Sequence, residues 1–329
     1  IRIINASFSA EARSYYWDDP INQAIMVAWQ NEIFVVAAAG NRGPAAMTIG
    51  VPGNVPYVMT VGAMTDNFTP EDGSDDELAS FSSTGPTVEG FVKPELVAPG
   101  GHMRGLVQGN STLAGNYPEY YDGDYFEMSG TSQATAVVSG VAALVLQAEP
   151  WRSVDELKCK IMSAAKPATY RDRGKDNLAY SVFQQGAGMV DAYAAVMNQM
   201  TGCANNGLHI DNDIDGFQHF GGPANLQTDG TYHVRGNLDT KETGYVWNGS
   251  YADSSGYLWT DGYLWTDAYL WTDAYLWTDG VGTNGYLWTD GYLWTDGYLW
   301  TDAYLWTDAY LWTDSLTEMA SMSSWVDPE

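Results

Sequence analysis

The sequence predicts an α/β protein with a mostly parallel sheet flanked by helices, followed by a β-rich hexapeptide repeat. Three observations carry this. Continuous apolar runs of strand length end in Gly-Asn or Pro-Gly. Segments of helical spacing alternate with those runs. From residue 257 onward a six-residue unit recurs nine times.

Ile21, Ile25 and Trp29 fall at i, i+4 and i+8, which predicts a helix over 21–30. Ile33 to Ala39 is apolar throughout and stops at Gly40 and Asn41, the pattern of a strand buried on both faces. Tyr57 to Ala63 predicts another strand, and Lys93 to Gly100 a short strand running into a turn. Thr131 to Gln147 is apolar on nearly every side, as a helix inside a large core would be. Ser153 with Glu156 three residues on marks a helix start through a capping box. Gly188 to Met197 predicts a closing helix. Thr201 to Gly244 is polar, rich in Gly, Asn and Asp, and poor in periodicity, so it is expected to be a linker or small irregular subdomain.

Tyr-Leu-Trp-Thr-Asp then begins at 257, 263, 269, 275, 286, 292, 298, 304 and 310. Degenerate copies start at Tyr245 and Tyr251 in the same register. In an extended chain Tyr, Trp and Asp point one way and Leu, Thr and Gly or Ala the other. The even period keeps that parity, which favours a stacked β-repeat over 245–315, before a tail over 316–329. A ladder of aromatics beside a row of Asp suits contact with a surface, a glycan or a partner chain. Packing of the rings on each other or on the preceding domain is the equally weighted alternative.

Composition narrows the function. The 329 residues carry 41 Asp and Glu against 14 Lys and Arg, a net charge of −27. That argues against nucleic acid as a partner and against a polybasic grip on anionic lipid. Thirteen of the acids, and no Lys or Arg, lie from Tyr245 onward. The most apolar stretch, Ala134 to Ala148, is broken by Ser139 and Gly140, so no transmembrane segment is expected.

The chemistry concentrates at Ser129-Gly130-Thr131-Ser132-Gln133, small residues around a Ser just ahead of an apolar helix. That places the Ser132 hydroxyl at a helix N-terminus, where backbone N–H groups and the helix dipole stabilise a developing oxyanion. Asn41, at the end of a buried strand, offers a side-chain amide to the same oxygen.

Together these motifs resemble the subtilisin-like serine peptidases. Ile3 to Ser9 resembles the substrate-binding strand of that family. Val51 to Ala63, Phe81 to Pro86, Lys93 to Gly100 and Gln185 to Ala192 resemble later stretches in the same order. The resemblance covers about residues 1–200, read as a partial peptidase domain with its N-terminal part missing. It implies that Ser132 is the acyl-enzyme nucleophile and that Asn41 donates to the oxyanion. It implies that Ser7, Phe8 and Ser9 align a polypeptide substrate as an added strand. Ala38, Ala39 and Gly40 would form the other wall of a pocket for large apolar side chains. No cofactor or metal is implied, structural calcium is left open, and an extracellular location is expected.

Three departures stand out. Ala136 replaces the usual Pro in the helix's first turn, at little cost. Ser9 replaces a frequent Gly and would narrow the groove. Most seriously, the Asp and His expected before the substrate strand are absent: His102, His209, His219 and His233 have other contexts. A Ser without a base is a poor nucleophile. The chain is therefore expected to be a downstream fragment of a serine endopeptidase, inactive by itself, with Asp and His upstream. The alternative is a non-catalytic peptidase-fold scaffold carrying the repeat for surface binding or self-assembly. Loss of the N-terminal strands would also leave a sheet edge open to aggregation.

Weaker signals remain. Asp211 to Gly216 opens like a calcium loop, but Gly222 stands where the bidentate Glu belongs, so an Asp-rich turn is favoured. Glu71 to Glu77 is expected to be a solvated acidic loop. Cys159, placed by its spacing off the apolar face of its helix, and Cys203 allow either one disulfide or two thiols.

Overall fold

The structure is a computed structural model that describes residues 1–69, 75–172, 175–199, 201, 202, 204–235 and 243–251. The nine full repeats, the tail 316–329, Cys203 and residues 71–74 of the acidic loop lie outside the described residues.

Among the described residues a five-stranded sheet forms the centre. Strand β1 (Ile3–Ala6) runs parallel to β2 (Phe34–Ala38), with Ile3 opposite Phe34. Helix α1 (Pro20–Gln30) is the crossover between them. Strand β3 (Met59–Thr65) is parallel to β2, β4 (Glu77–Leu78) is antiparallel to the end of β3, and β5 (Leu96–Pro99) is parallel to β3. Every residue of β2 is buried, as its unbroken apolar run predicts for a central strand covered on both faces.

Helix α1 starts where Asp19 accepts hydrogen bonds from the N–H groups of Ile21 and Asn22. Its buried face is Asn22, Ile25, Met26 and Trp29, whereas Ile21 is 43% exposed. The spacing chose the right helix and one wrong residue. Asn22 is inside because its amide donates to Asn54 Oδ1 at 3.0 Å.

Beyond β5 the chain forms a small antiparallel sheet. It comprises β6 (Met103–Leu106), a short helix α2 (Thr112–Asn116), β7 (Tyr121–Asp122) and β8 (Tyr125–Met128). Strand β8 leads directly into helix α3 (Thr131–Ala148). Thr131, Ala134, Thr135, Val138, Val141, Ala142 and Val145 of α3 are buried. Leu144 is 50% exposed, so α3 is covered on one side and not all round. By length and composition alone α3 would suffice to cross a membrane; here it lies against β1, β2, β3 and β5.

Helix α4 (Val154–Ser163) begins with the expected capping box. Ser153 Oγ accepts from Glu156 N and the Glu156 carboxylate accepts from Ser153 N. Cys159 is also buried in this helix, though it does not join the core cluster that Val154, Leu157 and Ile161 enter. The hairpin β9 (Thr169–Asp172) and β10 (Lys175–Leu178), helix α5 (Val182–Gln185) and helix α6 (Ala192–Met197) complete this part.

Within 201–244, expected as a linker or small irregular subdomain, the described residues carry short regular elements. Helix α7 (Ile210–Ile214) is followed by the antiparallel sheet of β11 (Ala224–Leu226), β12 (Tyr232–Arg235) and β13 (Thr243–Trp247). Strands this short leave almost no periodicity to read. Phe220, Ala224, Val234 and Trp247 join the same hydrophobic core as the central sheet. Strand β13 includes Tyr245 of the first degenerate copy, and Phe183 packs on the rings of Tyr232, Tyr245 and Trp247. The second copy contributes Tyr251, whose hydroxyl donates to Leu78 O at 2.6 Å.

A buried carboxylate fastens α7. Asp213 Oδ2 accepts from the hydroxyls of Tyr16 (2.6 Å) and Tyr57 (2.9 Å), and Oδ1 lies 2.8 Å from His219 Nδ1. Burial, reinforced by this carboxylate, holds both phenols protonated well above the ordinary tyrosine range. Asp211 Oδ1 accepts from Gln30 Nε2 at 2.6 Å. The Asp-rich segment thus spends these carboxylates on protein donors. Among the described residues no group of three or more His, Cys, Asp or Glu is placed to hold a metal ion.

Candidate active site

The site forms where β1, the end of β2 and the start of α3 meet. Gly130 is the N-cap of α3, so Thr131, Ser132 and Gln133 occupy the first turn. Ser132 N–H is one of the donors that a helix start leaves without an intrahelical partner. The 18-residue helix adds the positive end of its dipole there.

Asn41 follows β2 after Ala39 and Gly40. Its Oδ1 accepts from Thr131 N–H at 2.9 Å and from Thr131 Oγ1 at 2.8 Å. Two donors on one oxygen fix the amide orientation, so the Nδ2 hydrogens are the ones presented to the cleft. A Cβ built on Gly130 would lie 3.1 Å from Asn41 Nδ2 and 3.7 Å from Ser132 N. The glycine therefore leaves open a space that two N–H donors flank. An oxyanion needs donors about 2.7–3.1 Å away, and Asn41 Nδ2 and Ser132 N both border this space. Sequence reading singled out neither Thr131 nor Gly130. Their signal was adjacency to Ser132 alone.

Ser132 Oγ donates to Ser7 O at 2.9 Å, and Ser7 Oγ donates to Ser132 O at 2.8 Å. This reciprocal pair ties the nucleophile candidate to the chain just past β1. Phe8 is 51% exposed. Ser9 Oγ lies 2.8 Å from where a Cβ on Gly40 would be, so the two expected walls face each other there. Gly40 has φ +111°, a conformation that side chains resist, and its N–H donates to Thr131 Oγ1 at 3.2 Å. Ala38 and Ala39 are buried, and Ala39 O accepts from Gly50 N–H.

None of the four histidines hydrogen-bonds Ser132. His102 comes nearest in sequence, yet its ring stacks on Phe68, with Nδ1 3.4 Å from Thr65 Oγ1 and 3.8 Å from Asp66 Oδ1. His219 sits on Asp213, and His233 Nε2 lies 2.8 Å from Thr231 Oγ1. The described residues thus hold a nucleophile candidate and candidate oxyanion donors without an imidazole hydrogen-bonded to Ser132.

The profile of the Subtilase family matches residues 1–188, more than half of the chain. The chain belongs to the subtilase family. Serine protease AprX of Bacillus subtilis (strain 168) is 40% identical over 202 residues, which span 60% of this subtilase and 43% of AprX. Subtilisin DY of Bacillus licheniformis is 31% identical over 195 residues, spanning 59% and 56% of the two chains. The halolysin-like extracellular serine protease Nep of Natrialba magadii is 33% identical over 162 residues, spanning 49% and 23%. This subtilase therefore covers about half or less of the length of these relatives. Among solved structures, the patellamide maturation protease PatA aligns with TM-score 0.43 and 29% identity over 59% of this chain and 61% of that one. The matched stretch contains Ser7, Asn41 and Ser132, while α7 and the β11–β13 sheet lie beyond it.

Proposed function

We propose that this chain supplies the nucleophile and oxyanion site of a serine endopeptidase. The observation that carries the reading is that Asn41 Nδ2 and the backbone N of Ser132 both border the space left by Gly130. A peptide lies extended along Ser7, Phe8 and Ser9, with Ala38 to Gly40 as the opposite wall and a large apolar side chain between them. Ser132 Oγ leaves Ser7 O and attacks the scissile carbonyl while a base takes its proton. The carbonyl oxygen, now negative, enters the space between Asn41 and Ser132 N–H. Collapse expels the amine, which takes the proton held by the base, and water hydrolyses the acyl-enzyme.

The base is a His oriented by an Asp, both contributed from outside this chain, so the chain alone is inactive. Secretion is part of the proposal, supported by the extracellular description of one relative. No cofactor takes part. The aromatic-acidic repeat serves as a contact surface. The scaffold reading draws its support from the resting bond of Ser132 Oγ to Ser7 O.

Free imidazole separates the two readings. A fluorophosphonate reacts when Ser132 Oγ bonds to phosphorus, fluoride leaves and a base removes the hydroxyl proton. Imidazole in solution supplies that base. The endopeptidase reading expects labelling at Ser132 that rises with imidazole and is absent in Ser132→Ala. Labelling indifferent to imidazole, or equal in Ser132→Ala, overturns it.

A further inference from the structure

The space at Gly130 has a third polar neighbour. Gln133 Oε1 lies 2.9 Å from the position of a Cβ on Gly130, closer than Asn41 Nδ2 at 3.1 Å. Gln133 is at the third position of α3, on the same helical turn as Ser132, and is half-buried. Its backbone N–H is spent on Gly130 O at 3.1 Å. Its side-chain amide makes no hydrogen bond among the described residues.

The two amides at this space are held differently. Asn41 is locked by two donors on its oxygen. Gln133 has nothing to lock it, so a half-turn about its terminal torsion breaks no hydrogen bond and exchanges Oε1 for Nε2. At rest Oε1 borders the same space as Asn41 Nδ2. With a negative oxygen in the space, Oε1 would repel it and Nε2 would donate to it. The lower-energy orientation therefore reverses as charge develops.

We propose that Gln133 is a further oxyanion donor, a catalytic residue whose amide turns to present Nε2 to the tetrahedral oxygen alongside Asn41 and Ser132 N–H. The proposal rests on Ser132 being the nucleophile. It assigns Gln133 a contact made in the transition state and not in the resting site, the kind of interaction that raises rate without tightening ground-state binding.

The test uses the full chain and imidazole-assisted phosphonylation at saturating imidazole, with Gln133→Leu, Gln133→Glu and Asn41→Leu compared by intact mass. The phosphoryl oxygen takes the oxyanion position in this reaction. Gln133→Leu is expected to slow labelling about 10-fold, the order of one hydrogen bond to a charged acceptor. Gln133→Glu, nearly isosteric, is expected to slow it further, and to recover relative to Gln133→Leu as its carboxylate is protonated at low pH. Asn41→Leu is expected to lose about 10²–10³. Gln133→Leu at the unsubstituted rate, with Asn41→Leu slowed, overturns the proposal and leaves the reading of Ser132 standing. Labelling that ignores both imidazole and Asn41→Leu overturns that reading, and this proposal with it. Circular dichroism keeps a folding defect apart: a rate of folded Gln133→Glu relative to Gln133→Leu, compared at the same pH and imidazole concentration, that rises as pH falls supports the contact, and a ratio that does not change with pH overturns it.

Discussion

Replacing Gly130 by alanine adds one methyl group to the space shared by Asn41 and Ser132. The backbone there has φ 162° and ψ 159°, extended values that alanine adopts without strain. The cost falls on the site instead. The new carbon would stand 3.1 Å from Asn41 Nδ2 and 3.7 Å from Ser132 N. An oxyanion bonded to both donors must sit about 2.7–3.1 Å from each, so carbon and oxygen compete for one place. Asn41 cannot easily retreat, because Thr131 holds its oxygen twice. Losing one donor typically costs about 10²–10³ in rate, or about 2.7–4 kcal/mol of transition-state stabilisation. Imidazole-assisted phosphonylation of Gly130→Ala should therefore be slower by at least about 100-fold, with a melting temperature close to that of the unsubstituted chain. An unchanged labelling rate in a folded Gly130→Ala chain would refute the placement of the oxyanion.

Two further predictions concern stability. Glu95 is buried between two ammonium groups, with Oε1 2.5 Å from Lys93 Nζ and 2.8 Å from Lys158 Nζ. Glu95→Gln would leave both cations buried without a counter-charge and should destabilise by about 3–5 kcal/mol in urea unfolding; a loss below 1 kcal/mol would contradict the burial of this triad. Glu89 is 1% exposed, and burial pushes its carboxyl up to about 7, opposed by the Tyr16 N–H that donates to it. The fold thus holds this proton more tightly than the unfolded chain does. Its contribution is fully present below the usual 4.5 and is lost as pH rises through 7. Glu89→Gln should flatten the stability profile over that window and gain about 3 kcal/mol at pH 8 relative to the unsubstituted chain. A parallel profile would show that Glu89 titrates as an ordinary carboxyl.

Strands β2, β3 and β5 and helices α1, α3, α4 and α6 were legible because their signals are local, whereas the short β6–β8 sheet and β9–β10 hairpin were not read. An unbroken apolar run gave β2, and a Ser and Glu three residues apart gave the start of α4. The segment after residue 200 was not, because its order comes from distant partners. Asp213 meets Tyr16 and Tyr57 across 197 and 156 residues of chain. Tyr245 and Tyr251 look like weak copies of the repeat, but in the fold they pack on α5 and bond to β4. At the site, Ser132 and Asn41 were visible as motifs. The supports were not: Thr131 as the lock on the Asn41 amide, Gly130 as the opening, Gln133 as the second side-chain amide. Each acts through a juxtaposition of β2 with α3 that no single motif contains. Ile21 was misplaced for a similar reason, since Asn22 enters the core only because Asn54 receives its amide.

The central claim is that Ser132 is a competent nucleophile lacking only its base. Peptide mapping after fluorophosphonate treatment, with and without imidazole, tests it most directly. One modified residue is expected, Ser132, with little labelling in buffer and a rate that rises with imidazole. Labelling spread over several serines, or no imidazole dependence at Ser132, would contradict it.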